Sequence, residues 1–217
     1  VPAWVVSLGI AMSFMLLVVV CVWAWNLVPT LARASAAVRQ DVSYRFVVVS
    51  VAALLIAQVA SVLLSFRGVA ELLQFTFVQS ALAQLNHYGF FSMAAFGVLY
   101  VMLPRISGRS WPVPSLVGFH FWSSLLGCLT SVVALSIAGY KQGVGLNRLP
   151  TGEGAVPTPL IDVLQSIQPY LFTQTSAMVL LVAGHVAFLV NLGWMAAGCC
   201  SCCPPASSSL PNASKAA

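Results

Sequence analysis

Residues 3–27 read AWVVSLGIAMSFMLLVVVCVWAWNL, an unbroken apolar run without a single charged side chain. A helix rises about 1.5 Å per residue, so about 20 residues cross a hydrocarbon layer about 30 Å thick. The run is long enough. Four more follow it, at 46–65, 73–103, 113–139 and 170–198, and all 9 Lys and Arg and all 4 Asp and Glu fall outside the five runs. The runs are continuous and do not alternate in short segments, which predicts helices and not the strands of a barrel. The fold class expected is therefore all-α: a polytopic membrane protein whose residues 1–203 form a bundle of five transmembrane helices. The 204–217 tail is Ser, Ala and Pro without periodicity and is expected to be disordered.

Composition excludes other classes. The chain is 60% hydrophobic and 6% charged, whereas a soluble domain carries about 25% charged residues. The net charge of +5 is dispersed over short connections, so it speaks of topology in a lipid bilayer and not of nucleic acid. No basic leader with a cleavage site precedes the first run. The chain opens at Val1 almost inside a span, which predicts a processed polypeptide or a piece of a longer one.

Arg33, Arg39 and Arg45 lie in the 28–45 connection, and Arg105 and Arg109 in the 104–112 connection. The opposite side carries Arg67, Lys141 and Arg148, offset by Glu71, Glu153 and Asp162. The positive-inside rule then places the N-terminus outside and the C-terminus, with its tail, in the cytoplasm of a bacterial inner membrane. The 140–169 connection is long, is punctuated by Gly and Pro, and has room for a short helix at 160–167. It lies on the outer face, where it is either a plain connecting loop or a docking surface for a partner such as a cytochrome. Trp4, Trp23, Trp25, Trp111 and Trp194 sit near span ends, as an interfacial belt does. Gln58, Gln79, Gln84 and Asn86 are polar at membrane depth and need partners, which suggests a bundle covered by other protein. Gly89 and Gly97, with small residues between them, favour close helix contact. No internal repeat supports an inverted-repeat transporter.

The third and fourth runs carry more specific text. Tyr88-Gly89-Phe90-Phe91-Ser92-Met93 is followed by Phe96-Gly97-Val98-Leu99-Tyr100, Leu103-Pro104-Arg105, Gly108-Arg109-Ser110-Trp111-Pro112, His120-Phe121-Trp122 and Ala138-Gly139-Tyr140-Lys141-Gln142-Gly143. In this order and spacing, the chain resembles the C-terminal part of subunit I of the cbb3-type cytochrome c oxidases, in the heme-copper oxidase superfamily. Pro169-Tyr170, Leu181-Val182-Ala183-Gly184 and Asn191 fit the last helix of that subunit. The resemblance implies that the five spans match the last five of the family's twelve.

It also implies what is missing. The family's third-span equivalent carries a His-x-His pair that ligates two hemes, two imidazoles on different sides of one helix. Aligned without a gap from Phe96-Gly97, those positions are Leu82 and Gln84, and the family's membrane glutamate falls near Ala60. The copper-ligand helices would lie upstream of Val1. The chain is thus expected not to reduce oxygen by itself, and no catalytic residue and no metal ligand is assigned.

Two imidazoles remain as heme candidates, His87 and His185, at similar estimated depths of roughly 20 Å in their spans. The competing assignment for each is a neutral imidazole bonded to a neighbouring carbonyl or hydroxyl. His120 reads as structural. Cys199, Cys200, Cys202 and Cys203 crowd too closely to wrap one tetrahedral ion; reduced thiols, acylation or a soft ion are the options. The functional expectation is a non-catalytic oxidase-like subunit that anchors a larger respiratory electron-transfer complex of membrane and redox subunits. No cofactor of its own is expected. The alternatives are an electron-transfer subunit binding heme or quinone, or the C-terminal piece of a longer cytochrome c oxidase subunit I.

Overall fold

The computed structural model describes residues 3–147 and 159–200. Among them all regular structure is helical: α1 (Ala3–Ala32), α2 (Ala36–Gln40), α3 (Val42–Ser65), α4 (Arg67–Leu73), α5 (Phe77–Gln84), a π-helical segment (Leu85–Ser92), α6 (Met93–Ser107), α7 (Pro114–Leu146) and α8 (Leu160–Cys200). Five helical stretches are long and apolar enough to cross a membrane: α1, α3, the composite α5–π–α6, α7 and α8. The protein is an all-α polytopic membrane protein.

Breaks fall where capping chemistry permits them. The Ser35 hydroxyl accepts from the Val38 N–H at the start of α2, and Asp41 Oδ1 accepts from the Ser43 N–H at 3.2 Å at the start of α3. These side chains satisfy orphan donors of a first turn. The Arg39 guanidinium donates to the carbonyls of Ala32 and Ala34, closing the end of α1. Tyr44 Oη donates to Leu31 O at 3.1 Å and fastens α3 back onto that end. At the opposite face, Thr76 accepts from the Val78 N–H, and Gln142 Oε1 of α7 accepts from the Phe77 N–H at 3.1 Å. The start of α5 is therefore held by α7 as well as by its own cap.

Every span runs past its apolar run at one end or both, and α7 and α8 do so furthest. α7 continues past 139 to Leu146, and α8 begins at Leu160 and passes Pro169 without interruption. The expected short helix at 160–167 is the first part of α8. Lys141 of α7 lies over the Tyr170 ring of α8, 4.9 Å from its centroid, so the two helices remain in contact beyond the apolar run. Residues 148–158 of the long connection, the 204–217 tail and the side chains of the Cys199–Cys203 cluster lie outside the described residues.

α7 and α8 pack most extensively, with α5, the π segment and α3 against α7; α1 packs chiefly against α3, and its Trp23 meets Phe90 of the π segment edge-on at 6.4 Å. Small residues make the close crossings possible. A Cβ at Gly139 would collide with the backbone of Phe77 and Val78, and one at Gly184 with the Ser123 hydroxyl. The core centres on Phe46, Met93, Tyr100, Val117, Phe121 and Phe188.

Candidate functional site

The third span positions the candidate side chains through an irregularity. From Leu85 to Ser92 the backbone is π-helical, and Ser92 Oγ donates to His87 O at 3.1 Å, five residues back. A π turn takes up an extra residue, so side chains on either side of it leave the 3.6-residue phase. Gly89, packed against Ala53 and Cys128, faces the neighbouring helices at this point.

Within this segment consecutive residues face opposite ways. Tyr88 turns inward, its hydroxyl donating to Ser124 Oγ at 3.0 Å, and its ring lies 5.6 Å from that of His185. His87 turns outward and is exposed. Its Nδ1 donates to Ala83 O at 2.9 Å, since a carbonyl can only accept, leaving Nε2 as an acceptor directed away from that bond.

His185 lies among rings. It is half-buried, its Nδ1 donates to Leu181 O at 2.7 Å, and Phe96 meets it edge-on at 5.2 Å. Its imidazole neighbour is His120, at 5.5 Å in an edge-to-face arrangement. The depth estimate pairs His185 with His87. The geometry pairs it with His120 instead, and among the described residues no ring contact joins His87 to His185.

His120 is fully buried, and its Nδ1 shares a 2.8 Å hydrogen bond with the Tyr100 hydroxyl. Phe46, Phe96 and Phe188 surround the ring. Its Nε2 is buried and has no hydrogen-bond partner among the described residues, on the edge that faces Gly184 of α8. Trp111 Nε1 donates to Tyr100 O at 3.2 Å, so the α6–α7 turn leans on the same tyrosine. Asn191, 1% exposed, both accepts from the Val113 N–H and donates to Val113 O, at 3.1 and 3.0 Å. One α8 side chain thereby caps the entry to α7.

These contacts clarify what the cluster can do. It joins α6, α7 and α8 through aromatic edges, the Tyr100–His120 hydrogen bond and the two Asn191–Val113 bonds, in a medium where an unmet polar group is costly. The rings of His120 and His185 are at contact distance and leave no gap for a macrocycle between them. Among the described residues, no three His, Cys, Asp or Glu side chains converge to hold a metal ion. At the positions where the resemblance expects heme ligands, Leu82 and Gln84 are half-buried and offer no imidazole, and Ala60 offers no carboxylate. His120 and Asn191 are the residues that the sequence reading undervalued. The small residues Ser123, Ser124, Gly127 and Ser131 after His120, at steps of three and four, and Gly184 beside His185 were the available signal of a close α7–α8 crossing.

Comparison with known proteins agrees with this architecture. The chain is 25% identical over 191 residues to the cbb3-type cytochrome c oxidase subunit CcoN1 of Stutzerimonas stutzeri, which covers 88% of this chain and 40% of that protein. It is 27% identical over 195 residues to a bacteroid cytochrome c oxidase subunit 1 homolog of Bradyrhizobium diazoefficiens, covering 89% of this chain and 35% of the relative. Cytochrome c oxidase subunit 1 of Rhodobacter capsulatus is 26% identical over 196 residues, covering 88% and 36%. The chain thus spans well under half the length of these relatives. The profile of the family described as Cytochrome C and Quinol oxidase polypeptide I matches residues 1–192, and the chain belongs to that family.

Proposed function

We propose that this chain is a non-catalytic, oxidase-like membrane subunit that anchors a larger respiratory electron-transfer complex in a bacterial inner membrane, with its N-terminus outside and its C-terminus in the cytoplasm. The observation that carries the proposal is the outward face of the third span. Among the described residues Gln84 has no side-chain hydrogen bond, and His87 directs Nε2 away from its bond to Ala83 O. Hydrocarbon supplies no partner for either group, and each unmet polar group there costs several kcal/mol. A neighbouring protein that hydrogen-bonds them removes that penalty. The absence of imidazole at 82 and 84 supports a role without oxygen chemistry.

Blue-native electrophoresis of mildly solubilised membranes tests this. The chain should migrate with cytochrome-bearing subunits, and the double variant Gln84→Leu, His87→Leu should release it. A stable lone monomer of the unaltered protein would count against the anchoring role. The outer 140–169 connection is the second surface on which a cytochrome would dock.

The partial coverage of the relatives, 35–40% of their length, supports a second reading: the C-terminal piece of a longer cytochrome c oxidase subunit I, whose upstream helices cover the His87 face. Mass spectrometry of the intact polypeptide separates the two. Heme binding through His87 or His185 is the remaining alternative. The outward Nε2 supports it at His87, while the packed rings at His185 argue against it there. Reduced-minus-oxidised spectra of the complex with His87→Ala and with His185→Ala decide it: loss of a band in either identifies the ligand.

A further inference from the structure

A groove of about 630 Å³ runs between the first half of α1, the end of α3, α4 and the start of α5. Its volume falls within the range of about 300–1,000 Å³ that accommodates a small organic ligand. One wall is apolar, formed by Val6 and Ile10 of α1, Leu64 of α3 and Leu82 of α5. The polar lining groups include Ser61 of α3, Glu71 of α4, Gln74 at its C-cap and Gln79 of α5. None of these four side chains makes a hydrogen bond within the described residues. Ser13 and Ser65, which also line the groove, are already bonded to the carbonyls of Gly9 and Val62.

The polar end has a definite chemical character. A carboxylate and two amide oxygens are the acceptor groups near α4, around one formal negative charge, with no Lys or Arg among the described lining residues. An anionic phosphate alone is disfavoured beside Glu71, whereas a primary ammonium, with three N–H donors and a positive charge, is complementary. Arg67 stands four residues before Glu71 on α4, which puts it on the same face. Its guanidinium donates to Ser7 Oγ of α1 at 2.9 Å, so it lies against the α1 wall. A cation and an anion one turn apart match a zwitterionic headgroup, phosphate toward Arg67 and ammonium toward Glu71.

We propose that this groove is a specific site for phosphatidylethanolamine, its ammonium bonded by Glu71 and the neighbouring amides and its acyl chain laid along α1 and α3. The site is independent of the anchoring role, because occupancy is read on the chain with whatever subunits accompany it.

The test is lipid retention by native mass spectrometry after transfer of the complex from nanodiscs of equal parts phosphatidylethanolamine, phosphatidylcholine and phosphatidylglycerol. Ethanolamine lipid should be retained at least fivefold over choline lipid, whose trimethylated head has no N–H to donate, and over the anionic glycerol lipid. Glu71→Gln should remove most of that preference. Gly9→Leu should abolish retention by filling the groove, since nothing lies within 4 Å of a Cβ placed at Gly9 and the helix tolerates the change. Equal retention of the three lipids, preference for phosphatidylglycerol, or ethanolamine retention unchanged in both variants would overturn the proposal. Thermal stability of the Gly9→Leu protein equal to that of the parent confirms that loss of lipid is not loss of fold.

Discussion

α1 and α7 are both long spanning helices, and α1 is the more apolar. Yet only 6% of α1's most apolar window is buried within the chain, against 50% for α7. Apolarity and burial run in opposite directions here because the surrounding solvent is itself apolar. A side chain gains nothing by leaving lipid for another side chain, so the helices that pack are those whose small and polar residues permit close approach and hydrogen bonding. α7 offers Ser123, Ser124, Gly127, Ser131, Ala138 and Gly139 on its buried side. α1 presents Trp4, Met12, Met15, Val19, Val22 and Trp25 outward along its length.

The contrast can be broken most directly at Gly139. Gly139→Leu drives a side chain into the backbone of Phe77 and Val78, which cannot yield as a flexible side chain would. Overpacking usually costs about 1–3 kcal/mol, and a backbone collision belongs at or above the top of that range. The measurement is the midpoint of unfolding in mixed detergent, or outright failure to recover folded protein. Next comes Asn191→Leu, which strips the bonds to both the N–H and C=O of Val113. Its expected cost is about 2 kcal/mol. Unaltered unfolding would mean that packing alone holds the α7 entry against α8.

Tyr100→Phe is a smaller probe of the buried seam. It leaves His120 Nδ1 without its hydroxyl partner and should cost about 1 kcal/mol, between the average and the maximum for a hydrogen bond between membrane helices. Thermal melts in detergent resolve that. At the far end, Val19→Leu on α1 should shift stability by less than about 0.5 kcal/mol in the isolated chain. If the same change weakens comigration with other subunits, the outward face of α1 meets protein and not lipid.

Much of this was legible in the residues. The placement of every charge outside the apolar runs announces five spans, and the ordered motifs from Tyr88 to Gly143 point to the family. That Leu82 and Gln84 stand where the resemblance places imidazoles is an expectation drawn from the same motifs. The site was less legible. Periodicity assumes a regular helix, and the π segment from Leu85 to Ser92 breaks the phase at the place where His87 and Tyr88 must be assigned to faces. Depth along a span is computable from sequence, and on depth alone His185 looked like a partner of His87. Rotation about the helix axis is what separates them.

The sequence by itself determined the solvent and the number of crossings, because these depend on hydropathy, which is local. Only the tertiary structure decided that His185 meets His120 and not His87, that Asn191 holds the start of α7, and that a groove with an acidic end opens beside α1. Those depend on how each helix is rotated and how closely it approaches its neighbour, and that is set by where Gly139 and Gly184 let one helix touch another.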